Sequence, residues 1–207
     1  LRQNIRSGAG DDTRRPLLIV NGFSLLPMPL VVARKVYGAA GFRPYTIDFR
    51  FRNMRDVEAY ARRVAEAVSL IRSECPGTGR LDIIGFSMGG VATLYAIKRL
   101  GLDRQVSRFI AVGAPFRGAT ISLLAFPSLL YTRTGRQLMP KSRFLASLHA
   151  DPLPDGPRYV AFAGSRDTIC PAERSTLDGA ENVVLPFRHI DFLVSPAFHR
   201  SILEYLA

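Results

Sequence analysis

The chain has 207 residues, 47% of them hydrophobic, which suits one domain with a sizeable core. Lys and Arg number 28 against 17 Asp and Glu, a formal charge of +11, and that balance favours anionic partners such as phospholipid headgroups. No zinc-finger spacing or RNA-recognition signature accompanies the charge, so no nucleic-acid partner is expected. No apolar run approaches the ~18 residues needed to cross a bilayer.

The first eight residues are polar and basic and do not read as a signal peptide. The chain begins at leucine, so secretion and membrane-surface association both stay open. Only Lys35, Lys98 and Lys141 are lysines, and the other 25 basic residues are arginines. Cys75 and Cys170 form no motif and are expected to be free thiols.

In chain order, residues 1–15 read as a polar arm and 16–207 as a single domain. Pro16-Leu17-Leu18-Ile19-Val20 is a continuous apolar run, as a strand buried on both faces would be. It ends at Asn21-Gly22-Phe23-Ser24. A helix is expected around Leu30–Tyr37, and a second strand over 44–49, ending near Asp48. Val57, Ala61, Val64, Val68 and Ile71 form a helical stripe over residues 55–72, with Asn53 as the expected cap.

Residues 81–85 are the central strand and 88–100 its helix. Further strands are expected at 108–112, 158–163 and 182–185, and a last helix over 196–206. Unbroken apolar strands alternating with helices imply a mostly parallel sheet of about six strands covered on both faces. The exception to this rhythm is 116–157, a long connection whose first part is strongly apolar. It is expected either to cover an acyl chain as a cap or lid, with Leu123, Leu124 and Phe126 touching substrate, or to be a buried helix over the sheet.

The chemistry centres on Gly85-Phe86-Ser87-Met88-Gly89-Gly90. A strand running into a helix through a sharp turn pushes Ser87 outward. The flanking glycines are needed because the two backbones nearly touch, which is the pattern of a nucleophile elbow. A serine hydroxyl needs an imidazole to take its proton, and the imidazole needs a carboxylate to fix its tautomer.

Of the three histidines, His189 follows the last strand at the same sheet edge as Ser87. His149 is expected at a helix end and His199 on the surface of the last helix. Asp167 follows the penultimate strand at that edge. Asp48 is more simply a loop-ordering residue, and Asp191 a local cap or surface charge.

The order Ser87, Asp167, His189 is that of the α/β-hydrolases. Over residues 16–206 the sequence resembles that superfamily, and within it the small bacterial triacylglycerol lipases and esterases. The resemblance is carried by Gly85-Phe86-Ser87-Met88-Gly89-Gly90, Val112-Gly113-Ala114-Pro115-Phe116-Arg117-Gly118, and Leu177-Asp178-Gly179-Ala180-Glu181-Asn182-Val183 leading to His189. The stretch from Gly135 to Leu145 also looks like a segment of members with a cap over the site.

The resemblance implies the α/β-hydrolase fold, a minimal core with a cap-like insertion at about 116–157. It also implies a lipase or esterase activity on acyl esters or lipids through an acyl-enzyme. An acyltransferase using the same intermediate, or a non-catalytic module binding an anionic surface, is the alternative. The oxyanion donors would be the backbone amides of Phe23 and Met88, and no metal or organic cofactor is implied. Asn21 stands where the family usually has histidine, and Phe187-Arg188 precede His189 where small residues are usual. Arg50, Arg52, Arg117, Arg166 and Arg188 fall in loops at the catalytic edge. They read either as a basic rim for anionic substrates or as the spread of an arginine-rich composition.

Overall fold

The computed structural model describes residues 5–7, 14–22, 30–47, 56–119 and 132–207. A sheet of seven strands runs through them in the order β1-β3-β2-β4-β5-β6-β7. The strands are β1 (Ile5–Ser7), β2 (Arg15–Val20), β3 (Phe42–Ile47), β4 (Leu81–Phe86), β5 (Val106–Val112), β6 (Arg158–Gly164) and β7 (Glu181–Leu185). From β2 to β7 all pairings are parallel. At one edge β1 pairs antiparallel with β3, so a part of the expected polar arm contributes a strand.

The strands read as apolar runs because both faces are covered. On one face α2 (Val57–Glu74) and α3 (Met88–Arg99) pack Val64, Val68, Ile71, Val91 and Leu94 against Leu18, Val20, Ile83 and Phe109. On the other, α1 (Leu30–Ala39), α7 (Asp191–Val194) and α8 (Pro196–Leu203) pack Ala33, Tyr37, Phe192, Phe198 and Ile202 against Leu17, Ile19, Ile84, Ile110 and Phe162. Alternate residues of each strand thus serve opposite cores, as the period of two requires. The last strand, β7, lies at the other edge and is largely exposed.

The N-cap of α2 is Asp56, whose side chain accepts the Ala59 N–H at 2.6 Å. Asn53, the cap expected from sequence, lies outside the described residues. So do Asp48, Arg50, Arg52 and residues 120–131 with Leu123, Leu124 and Phe126.

The described remainder of the 116–157 connection forms α4 (Arg133–Gln137) and α5 (Arg143–His149), and a short α6 (Ala172–Ser175) follows β6. Leu138, Leu145 and Leu148 of the connection are buried in the core on the side of α2 and α3. Gln137 ties it to the start of α2, its Oε1 accepting the Val57 N–H at 2.8 Å.

Strand order reverses between β2 and β4: the chain passes from β2 outward to β3, then crosses back to β4. In open α/β sheets the crevice at such a point, outside the carboxyl ends of the strands, is where ligands bind. Asn21-Gly22 and Ser87 follow those two strands directly.

Candidate active site

Ser87 has φ 52° and ψ −127°, a left-handed conformation that a non-glycine residue adopts only under constraint. The constraint is the approach of β4 to α3. A Cβ on Gly85 would lie 2.7 Å from Gly90 Cα, and one on Gly89 would lie 2.4 Å from the Asn21 carbonyl oxygen. The Ser87 N–H is held by the Val112 carbonyl at 2.8 Å, so the turn is anchored to β5 while its side chain points outward. Met88 is the first residue of α3, where an amide has no carbonyl partner within the helix and the helix dipole adds partial positive charge.

The structure brings Ser87, His189 and Asp167 together. His189 Nδ1–H donates to Asp167 Oδ2 at 2.7 Å, and His189 Nε2 faces Ser87 Oγ at 3.2 Å. With the proton on Nδ1 held by the carboxylate, Nε2 presents its lone pair to the hydroxyl, the arrangement a general base requires. The Asp167 side chain is fully buried and that of His189 is 14% exposed. The other carboxylate oxygen, Oδ1, accepts the N–H groups of Ile169 at 2.9 Å and Cys170 at 2.8 Å. Asp167 is therefore fixed in rotation as well as in position.

The His189 loop is a tight turn closed by Asp191, whose Oδ2 accepts the Arg188 N–H at 2.8 Å. Asp191 closes this turn and is not the helix cap expected of it, since the N-cap position of α7 is Ile190. The ring of Phe86 lies 5.0 Å from that of His189, and Phe192 packs on Phe86 at 4.9 Å. The imidazole consequently has an aromatic wall on one side and its carboxylate on the other.

Of the remaining two histidines, one departs from its expected place. His199 is buried rather than on the surface. Its Nδ1 pairs with the Tyr37 hydroxyl at 3.1 Å, and it lines a small apolar cavity of about 30 Å³ with Phe86, Phe192 and Phe198. Burial pulls its pKa down to about 4. His199 turns inward because its ring packs edge-on against Tyr37 of α1, with centroids 5.4 Å apart. His149 does end a helix, but it is half-buried and donates from Nε2 to the Phe116 carbonyl at 2.9 Å; burial lowers its pKa also.

Cys75 and Cys170 are free and buried, and burial pushes the Cys170 thiol up. Of the rim arginines, Arg117 pairs with Asp178 at 2.7 Å and Arg188 approaches Asp191 at 3.4 Å, while Arg166 is exposed. The described part of the rim is therefore partly neutralised by its own acids. Among the described residues no group of three or more His, Cys, Asp and Glu converges as metal ligands would. No described helix is long and apolar enough to cross a membrane. Phe23, the second expected oxyanion donor, lies outside the described residues.

Sequence reasoning missed the amides of Ile169 and Cys170 and the wall made by Phe86 and Phe192. Backbone donors leave no trace in residue identity, and an aromatic beside the nucleophile looks like any strand residue.

A family model described as lecithin:cholesterol acyltransferase matches residues 41–136, a little under half of the chain. No curated protein sequence matches the chain. Among solved structures, the mature form of a Bacillus licheniformis lipase superposes with a TM-score of 0.79 at 16% identity, covering 98% of both chains. Aspergillus fumigatus lipase B gives 0.76 at 17% identity over 96% of this chain, which spans only 54% of that larger protein. An esterase from Exiguobacterium antarcticum gives 0.67 at 15% identity, covering 98% of this chain and 94% of the esterase. The chain has the α/β-hydrolase fold, and it resembles the lipases and esterases built on that fold.

Proposed function

We propose that the chain is a serine carboxylic-ester hydrolase acting on lipid-like acyl esters. The observation that carries this reading is the unbroken line from Asp167 Oδ2 through His189 to Ser87 Oγ, 2.7 Å and 3.2 Å long, at the edge where strand order reverses. In this reading Ser87 Oγ gives its proton to His189 Nε2 and attacks the ester carbonyl carbon. The carbonyl oxygen becomes an oxyanion facing the Met88 amide at the start of α3, with the Phe23 amide as the second donor by resemblance. His189 then protonates the departing alcohol oxygen, leaving an acyl group on Ser87. Water, deprotonated by the same nitrogen, releases the acid and restores the serine.

A lipid-like substrate is supported by the aromatic wall of Phe86 and Phe192 and by two large apolar side chains more than half exposed, Ile190 next to His189 in sequence and Val194 at the end of α7. The excess positive charge favours presentation of such a substrate on an anionic membrane surface. The test is turnover of acyl esters together with fluorophosphonate labelling of the wild type and Ser87→Ala. Labelling should vanish in the variant and kcat should fall on the order of 10⁶-fold. Unchanged ester turnover in Ser87→Ala would overturn the reading.

A further inference from the structure

Asn21 sits at the carboxyl end of β2, where the resemblance would place a histidine, and it is 1% exposed. Its side-chain Oδ1 accepts the Gly22 N–H at 2.8 Å. Its backbone carbonyl accepts the hydroxyl proton of Tyr60, a buried residue of α2. The same carbonyl is pressed against the first turn of α3, since a Cβ on Gly89 would reach it at 2.4 Å. Both ends of the Asn21–Gly22 peptide are therefore held, the carbonyl by Tyr60 and the N–H by the asparagine's own amide.

That peptide lies against the nucleophile. A Cβ on Gly22 would stand 2.7 Å from Ser87 Cβ and 3.2 Å from Ser87 Oγ, so only a glycine passes there. Rotation of the peptide would swing the chain that leads into Phe23 relative to Ser87. The Asn21 side chain at the N–H and Tyr60 at the carbonyl both oppose that rotation.

We infer that Asn21 and Tyr60 are positioning residues that lock the Asn21–Gly22 peptide against Ser87 and so fix the backbone from which the oxyanion donor expected at Phe23 continues. The inference rests on the esterase reading. It assigns a specific task to the asparagine that stands at this position in this chain, performed by its amide oxygen. Misplacing a catalytic donor by about 1 Å costs up to ~10²-fold in rate, and it acts on the transition state more than on ground-state binding.

The experiment measures kcat and KM on a water-soluble short-chain ester for Asn21→Ala, Asn21→Ser, Tyr60→Phe and the double variant Asn21→Ala/Tyr60→Phe. Rates are taken per site titrated with a fluorophosphonate, well below each variant's melting temperature. Asn21→Ala is expected to lose roughly 10- to 100-fold in kcat with KM within about twofold. Asn21→Ser, whose hydroxyl still accepts an N–H, should recover part of the loss. Tyr60→Phe should lose less than Asn21→Ala, and the double variant should fall by less than the product of the two single losses, because both act on one peptide.

A merely structural role would lower the melting temperature or the titrated fraction and leave kcat per site unchanged; that result overturns the inference. A loss confined to KM overturns it as well. Turnover that survives in Ser87→Ala sinks the esterase reading itself, and the inference with it. An active Ser87-dependent wild type with an unimpaired Asn21→Ala sinks only the inference.

Discussion

Asp167 does more than neutralise a histidine. Its two oxygens have separate tasks: Oδ2 holds the His189 Nδ1–H, while Oδ1 takes two backbone N–H groups. An asparagine at 167 would have to keep its oxygen on the Ile169 and Cys170 amides and turn its NH2 toward His189. His189 Nδ1 would then accept, its proton would move to Nε2, and the ring would point a donor at Ser87 instead of a lone pair. Asp167→Asn should therefore fold normally yet lose about 10⁴-fold in kcat, measured per folded molecule on a soluble ester. A loss below tenfold would show that His189 finds its tautomer without this carboxylate. Ser87, Asp167 and His189 were legible in the sequence because chemistry restricts them to few residue types and each follows a strand. The amides behind Asp167 were not, because any residue supplies one.

At the scale of the element, the strand–turn–helix unit of β4 and α3 depends on what is missing from it. A Cβ at Gly89 would meet the Asn21 and Val20 carbonyl oxygens at 2.4 and 2.5 Å. Both belong to backbone at the end of a paired strand, so no side chain is available to yield. Gly89→Ala should cost about 3 kcal/mol of stability, read from urea unfolding midpoints, and should depress activity by moving Asn21 and Ser87 together. An alanine variant within 0.5 kcal/mol of wild type, roughly the level of a neutral surface change, would mean that β2 and α3 are not held this close. The parallel strands were readable as apolar runs because a sheet covered on both faces leaves no polar alternation. β1 was not, since a three-residue strand at an edge has no such run. The cap of α2 was misassigned for a related reason: Asn53 and Asp56 suit the same role, and only the helix start at Val57 selects Asp56.

At the scale of the molecule, two cores on opposite faces of one sheet place different titratable groups in different surroundings. Asp82, fully buried on β4, is ringed by Arg15 at 2.9 Å and Arg108 at 3.4 Å. Desolvation nonetheless raises its pKa against the pull of both arginines. His199 occupies the opposite case, a base held neutral between α8 and α1, with its pKa lowered from 6.5 to about 4. The unfolded chain therefore binds a proton below about pH 6.5 that the folded chain refuses until about pH 4. Stability falls on acidification through that window, by about 3 kcal/mol at pH 4. The lowered His149 acts in the same direction. The raised Asp82 acts oppositely, favouring the folded state as pH falls toward the ordinary carboxylate range. The total curve mixes these contributions, so His199 is isolated by difference. Denaturant unfolding of wild type and His199→Gln, which keeps a polar partner for Tyr37, should give two pH profiles whose separation changes between pH 7 and 4. The variant should lose about 3 kcal/mol less over that range. Parallel profiles would mean that the imidazole is protonated in the folded protein well above pH 4, and that the cavity behind Phe86 and Phe192 is wetter than its apolar lining implies.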